Sequence, residues 1–145
     1  MECLCKKPTY SILLLLLSMT VIAGCDRGLA LAPAEGTVTL DGRPVAEAGV
    51  FFTPIEGGPS ATGSTDAAGH FKLRSANREG AMVGEHRVTI TKKETRGLGP
   101  FGPTSPEGIT IIWHVPQKYS NTKTTDLTAT VPSGGDEFTF ELTSK

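Results

Sequence analysis

A two-residue period runs through this chain from Glu35 onward and constrains its fold more than any other feature. Val38 and Leu40 alternate with Thr37 and Thr39, and Phe71 and Leu73 with His70, Lys72 and Arg74. Val88 and Ile90 alternate with Arg87, Thr89 and Thr91. The spacing recurs at Leu127, Ala129 and Val131, and again at Phe138, Phe140 and Leu142. Val50, Phe51 and Phe52 form a short β-rich run before Pro54. Successive side chains of a strand point to opposite faces, so each set gathers apolar groups on one side and Thr or charge on the other. That is the pattern of antiparallel sheets with one buried face.

Turn chemistry separates the runs. Asp41-Gly42, Gly57-Gly58-Pro59, Asp66-Ala67-Ala68-Gly69 and Ser133-Gly134-Gly135-Asp136 each combine residues that tolerate tight turns. The chain holds 17 Gly and 10 Pro among 145 residues, which favours many turns over long helices. Short strands at this spacing predict an all-β protein of about seven strands in two layers. Asp66 is expected to accept backbone N–H groups across its turn while Gly69 takes a positive φ, and Asp41-Gly42 to do the same.

One stretch breaks the rhythm. Thr95 to Gly108 contains Gly97, Gly99, Gly102, Gly108, Pro100, Pro103 and Pro106, too many breakers for a central strand. A loop of that length in a compact domain is either functional or mobile. Ile109 to Val115 then resumes a β-like composition without clean alternation. Trp113, the single Trp, is either a core plug or an exposed aromatic beside the loop. Arg96, Phe101 and Trp113 are the candidate partner-binding residues here, because loops held by a rigid sandwich are where binding groups gather.

The N-terminus reads as an export signal. Lys6 and Lys7 precede an uncharged stretch from Tyr10 to Ala23 that includes the run Leu13 to Leu17. It is shorter than the roughly 20 residues a membrane-spanning helix needs and fits a signal-peptide core. Val21-Ile22-Ala23-Gly24-Cys25 resembles the lipobox of bacterial lipoproteins. The resemblance implies a diacylglycerol thioether on Cys25, cleavage between Gly24 and Cys25, and acylation of the new N-terminus by a palmitate-type chain. Cys3 and Cys5 would leave with residues 1–24, so Cys25 would be the last Cys in the chain and no intrachain disulfide could form. Residues 25–34 then form a tether and residues 35–145 one domain. Two or more acyl chains would hold the protein stably on a membrane of the bacterial envelope, facing the periplasm or the exterior.

The domain also has a family resemblance. Gly36 to Val45 and Ala48 to Phe52 resemble the opening of carboxypeptidase regulatory-like domains. Thr65-Asp66-Ala67-Ala68-Gly69-His70-Phe71 is similar to that family's Thr-Asp-x-x-Gly-x-Phe hairpin. Gly84 to Ile90 resembles its next strand, where an aromatic often stands at the position of His86. The segments Val115 to Tyr119, Leu127 to Val131 and Phe138 to Leu142 resemble small bacterial lipoproteins that carry this domain. The resemblance implies a prealbumin-like, antiparallel Greek-key β-sandwich. Its motifs are turn and core signatures, and they imply little about function.

Chemistry-bearing residues are sparse. Lys and Arg number 14 against 15 Asp and Glu, so there is no basic footprint for nucleic acid. His70, His86 and His114 lack metal-ligand spacing, and neither a metal nor a cofactor is expected. His70 is expected to face solvent, and His86 to sit at the core edge with a ring nitrogen meeting backbone or water. No Gly-x-Ser-x-Gly elbow is present, and no nucleophile motif of that or the Ser-x-x-Lys type is expected. Arg87, Lys92, Lys93 and Arg96 suggest a basic strand end, suited to blocking sheet-to-sheet aggregation or to touching an anionic envelope polymer or headgroup.

Two functions stand against each other. The first is a membrane-anchored, non-catalytic envelope module that binds a protein or glycan partner. The alternative is a hydrolase of the transthyretin-like type, although the Tyr-Arg-Gly-Ser ending of the hydroxyisourate hydrolases is replaced here by Leu142-Thr143-Ser144-Lys145. An exposed apolar patch favours the first and a pocket with convergent polar groups the second. The lipobox reading predicts that intact-mass analysis of the native protein finds an acylated chain beginning at Cys25. Cys25→Ala should move the protein out of the detergent phase; a soluble native product that begins elsewhere would refute the anchor.

Overall fold

The computed structural model describes residues 30–99, 102–103 and 108–145. Strands begin at β1 (Leu31–Ala32) and β2 (Ala34–Leu40), followed by β3 (Arg43–Pro44), β4 (Gly49–Pro54) and β5 (Ala61–Ser64). The short β6 (His70–Lys72), β7 (Arg74–Ser75), β8 (Arg78–Glu79) and β9 (Ala81–Met82) lead into the long β10 (Gly84–Thr91). Next come β11 (Lys93–Arg96), β12 (Leu98–Gly99), β13 (Gly102–Pro103) and β14 (Thr110–Trp113). A 3-10 turn at Gln117–Ser120 precedes β15 (Thr128–Val131) and β16 (Asp136–Leu142).

The protein is all-β, as the alternation predicts. Six strands form one antiparallel sheet in the order β15-β10-β4-β5-β7-β8. A second sheet runs β16-β2-β3, with β6 also paired to β2. The strand count exceeds the expected seven because two- and three-residue ladders bridge the longer strands. The fold also includes residues before 35. Leu31 and Ala32 pair with Met82 and Ala81, and Ala32 and Ala34 are buried, so the end of the expected tether is part of the fold.

The two sheets share one core. Val50 and Phe52 of β4 lie opposite Ile90 and Val88 of β10, and all four side chains are fully buried. Phe71, Phe138 and Phe140 come from the other sheet. The Phe52 ring meets all three, with centroids 6.4, 5.3 and 6.0 Å away, and the contacts to Phe138 and Phe140 are edge-to-face. Phe51, one residue along, points out and is 40% exposed, as the period of two requires.

One pairing departs from the antiparallel expectation. β16 lies parallel to β2, in register from Asp136 beside Ala34 to Leu142 beside Leu40. The first and last long strands of the domain are therefore neighbours. Gly36 faces Phe138 in this register, and a Cβ at Gly36 would run into the Phe138 carbonyl. Only a glycine lets the two backbones approach this closely.

Local polar contacts fasten the loops. Asp66 Oδ1 accepts the N–H groups of Ala68 and His70, each at 2.9 Å, and Gly69 has φ of 78°, as the sequence predicts. Thr65, in the same motif, is buried. Its hydroxyl donates to the Val45 carbonyl at 2.6 Å and accepts the Ala48 N–H at 2.8 Å, pinning the loop before β4. Asp41 behaves differently from Asp66. Asp41 and Gly42 both take positive φ in the two-residue β2–β3 turn, but the Asp41 carboxylate reaches across to the Ser144 N–H. That bond ties the chain end to the hairpin, and hydrogen bonding from Ser144 holds the Asp41 carboxyl below its ordinary value.

His86 is fully buried, deeper than the core edge expected for it. Its Nδ1 lies 3.0 Å from the Gly84 carbonyl. A carbonyl only accepts, so Nδ1 carries the hydrogen and Nε2 is left as a bare lone pair. That Nε2 is the one buried side-chain polar atom without a partner among the described residues. The ring packs against Phe52 at 5.6 Å. Burial pushes the imidazole below its ordinary 6.5, with the Gly84 bond opposing in part.

Two outcomes are expected. Phe52→Ala removes the ring that touches every other core phenylalanine and should lower stability by about 3–5 kcal/mol in urea unfolding. Phe51→Ala, on the outer face, should change it by no more than about 0.5 kcal/mol. Burial disfavours the protonated His86 imidazole in the folded protein relative to the unfolded chain. Stability should therefore fall as pH drops through the ordinary histidine value of 6.5, and His86→Phe should flatten that limb. An unchanged acid limb in His86→Phe would assign it to other groups.

Candidate functional site

Among its described residues, the stretch read as a breaker-rich loop contributes to a two-stranded ribbon. Lys93, Glu94, Thr95 and Arg96 of β11 pair antiparallel with Trp113, Ile112, Ile111 and Thr110 of β14. Farther out, Leu98 and Gly99 pair with Pro103 and Gly102. The ribbon belongs to neither main sheet. Glycine and proline are tolerated because each strand here has a partner on one side only, so no interior ladder bond is lost.

Pairing decides what each face carries. Trp113 lies opposite Lys93, and Ile111 opposite Thr95. With Ile109 one step of two farther on, these side chains share a face. Ile109, Ile111 and Trp113 are 48%, 50% and 37% exposed, three of the five large exposed hydrophobic residues among those described. Trp113 is thus the exposed aromatic, not the core plug. The Lys93 ammonium stands 5.9 Å from the Trp113 ring centroid, within cation–π range.

The opposite face is ionic. Glu94 Oε1 accepts from Arg96 Nε at 2.8 Å, and Glu94 Oε2 lies 3.4 Å from His114 Nε2. The Arg96 hydrogen bond, then that of His114, lowers the Glu94 carboxyl below its ordinary value. All these groups are exposed, so the pairs add little stability. Arg96 is therefore turned away from Trp113 and engaged with Glu94, and the expected trio of Arg96, Phe101 and Trp113 does not share a face. Phe101 lies outside the described residues, as do Gly24 and Cys25. Ile109 and Ile111 are the site members that sequence reasoning did not single out, and Lys93 was expected in a basic strand end rather than over Trp113. Ile109, Ile111 and Trp113 do follow a period of two, but Ile112 between them hides it.

The expected basic strand end is not a single patch. Arg87 donates to the Thr122 carbonyl at 3.0 Å, Lys93 covers Trp113, and Arg96 holds Glu94. Among the described residues no group of three or more His, Cys, Asp or Glu is placed to hold a metal.

An open, polar depression lies beside the 3-10 turn, lined by Gln117, Lys118, Ser120, Asn121, Thr122 and Thr124. The sequence does hold one nucleophile-type spacing, against the expectation of none: Ser120, in this lining, and Lys123 match Ser-x-x-Lys. The geometry gives that spacing a structural use. Ser120 Oγ donates to the Gln117 carbonyl at 2.7 Å and closes the turn, and the chain becomes extended at Asn121. No hydrogen bond joins Ser120 to Lys123 among the described residues.

Compared with family models, with curated proteins and with solved structures, the chain matches none of them.

Proposed function

We propose that this protein is a non-catalytic lipoprotein of the bacterial cell envelope, held on a membrane through Cys25, whose β-sandwich presents the β11–β14 ribbon to a protein or glycan partner. The observation that carries the reading is the exposed face formed by Ile109, Ile111 and Trp113 on a ribbon outside both sheets. Leaving such side chains in water forgoes the roughly 1.5–3 kcal/mol each gains on burial. A stripe of them rimmed by Lys93 and Thr95 suits a contact surface, in which an aromatic anchor supplies most of the energy.

The placement of the ribbon supports the same reading. The Ala30 carbonyl accepts the Val83 N–H, just before β10 begins, and the ribbon leaves the other end of β10. Eight extended residues put those two poles about 25 Å apart. Four residues lie between Cys25 and Ala30, and a chain reaches at most about 3.6 Å per residue. An anchor at Cys25 would hold the Ala30 pole near the membrane and present the ribbon away from it.

The test pairs one double ribbon variant with an envelope pull-down that uses the full lipidated chain. Trp113→Ala with Ile111→Ser should leave the unfolding midpoint nearly unchanged, because both residues are exposed. The same change should abolish recovery of the partner that the parent protein retains. A partner set identical for parent and variant would overturn the ribbon as the contact surface.

A further inference from the structure

We infer a second binding site, beyond the ribbon face: an open cleft at the root of the ribbon that takes a carboxylate or phosphate carried on a sugar-sized body. The cleft measures about 500 Å³ and is lined by Leu40, Asp41, Arg43, Pro44, Val45, Lys92 and His114. That volume lies within the range of small-molecule sites.

Two separate pieces of chain build it. Arg43 faces Leu40 across the β2–β3 hairpin, where the Asp41-Gly42 turn sets the register. Lys92 joins β10 to β11, and its carbonyl accepts the His114 N–H at 2.9 Å, which places His114 beside it at the end of β14. The hairpin and the ribbon root thus bring Arg43, Lys92 and His114 to one depression, although they are distant in sequence.

The charge balance of the lining favours an anion. Arg43 and Lys92 are cationic at neutral pH, and neither takes part in an ion pair among the described residues. Arg43 is only attracted at longer range by Asp41. Asp41 is the sole carboxylate in the lining, and it already accepts the Ser144 N–H. Glu94, which approaches His114 from the ribbon, is already bound to Arg96. An incoming oxyanion would meet a guanidinium with a fork of donors and an ammonium with three, the groups best suited to carboxylate and phosphate. Leu40, Pro44 and Val45 supply an apolar wall for the carbon face of a sugar ring. The polar depression beside the 3-10 turn has one cation in its lining, Lys118, where this cleft has two.

The test uses the full-length, nitrogen-15-labelled chain in neutral detergent micelles, read by amide chemical shifts. The probes are glucuronate, glucose 6-phosphate, neutral glucose and inorganic phosphate, each titrated into the millimolar range. A saturable shift of amides in the Leu40–Val45 turn and at Lys92 and His114 is expected with either charged sugar and not with glucose. Arg43→Gln and Lys92→Gln should each weaken it about tenfold, the loss of one charge-assisted contact. Trp113→Ala should leave it unchanged, which separates this site from the ribbon face. No saturable shift with either charged sugar, an equal response to glucose, or undiminished binding in the double variant would overturn the site. Inorganic phosphate binding as tightly as glucose 6-phosphate would overturn the sugar-sized body.

Discussion

The contact between Phe52 and the three phenylalanines of the opposing sheet is the interaction on which this structure depends. A sheet is stable only when its apolar face is covered, and each sheet here covers the other through these rings. Phe52 approaches from β4, flanked by Val88 and Ile90 on β10, and Phe71, Phe138 and Phe140 close over it from β6 and β16. Edge-to-face packing adds about 0.5–1.5 kcal/mol per pair beyond area burial. His86 fills a remaining corner and accepts an unpartnered nitrogen as the cost of contact with Phe52.

That core also requires the parallel β2–β16 pair. Phe138 and Phe140 reach Phe52 only because β16 is in register with β2, and that register depends on Gly36 letting the Phe138 carbonyl come close. The Asp41–Ser144 bond and the contact of the Tyr119 hydroxyl with Thr143 secure the same end of the chain. The result is a rigid body with its first and last long strands side by side. The ribbon is the part this body does not absorb. Its two strands bond to each other on one side and leave their outer N–H and C=O groups to water, without help from the sheets. Its outward face is therefore available for contact, at the end of β10 opposite Ala30.

The sheets were legible because burial on one face imposes a period of two that sequence records directly. The Asp66–Gly69 turn was legible for a similar reason, since the side chain and the positive φ act within five residues. Thr65 was visible only as part of a motif; its bonds to Val45 and Ala48 span about twenty residues and leave no periodic trace. Asp41 looked like Asp66 in sequence but bonds to Ser144, because its carboxylate found a donor brought near by the β2–β16 pairing. Glycine and proline in 95–108 suggested a loop, yet Gly99, Gly102 and Pro103 are accommodated at the single edges of a ribbon.

Sequence by itself determined that the chain would be all-β, which side chains would turn inward, where its tight turns would fall, and that Trp113 stood beside an unusual segment. Those properties follow from interactions between residues close in the chain and from the two-fold alternation of strand side chains. Only the tertiary structure decided that β16 runs parallel to β2, that Arg96 faces away from Trp113, and that Arg43, Lys92 and His114 line one cleft. Each of these depends on the register between distant strands. A shift of one residue in register moves every side chain to the opposite face, and alternating segments taken singly do not specify which partner or which direction they will adopt.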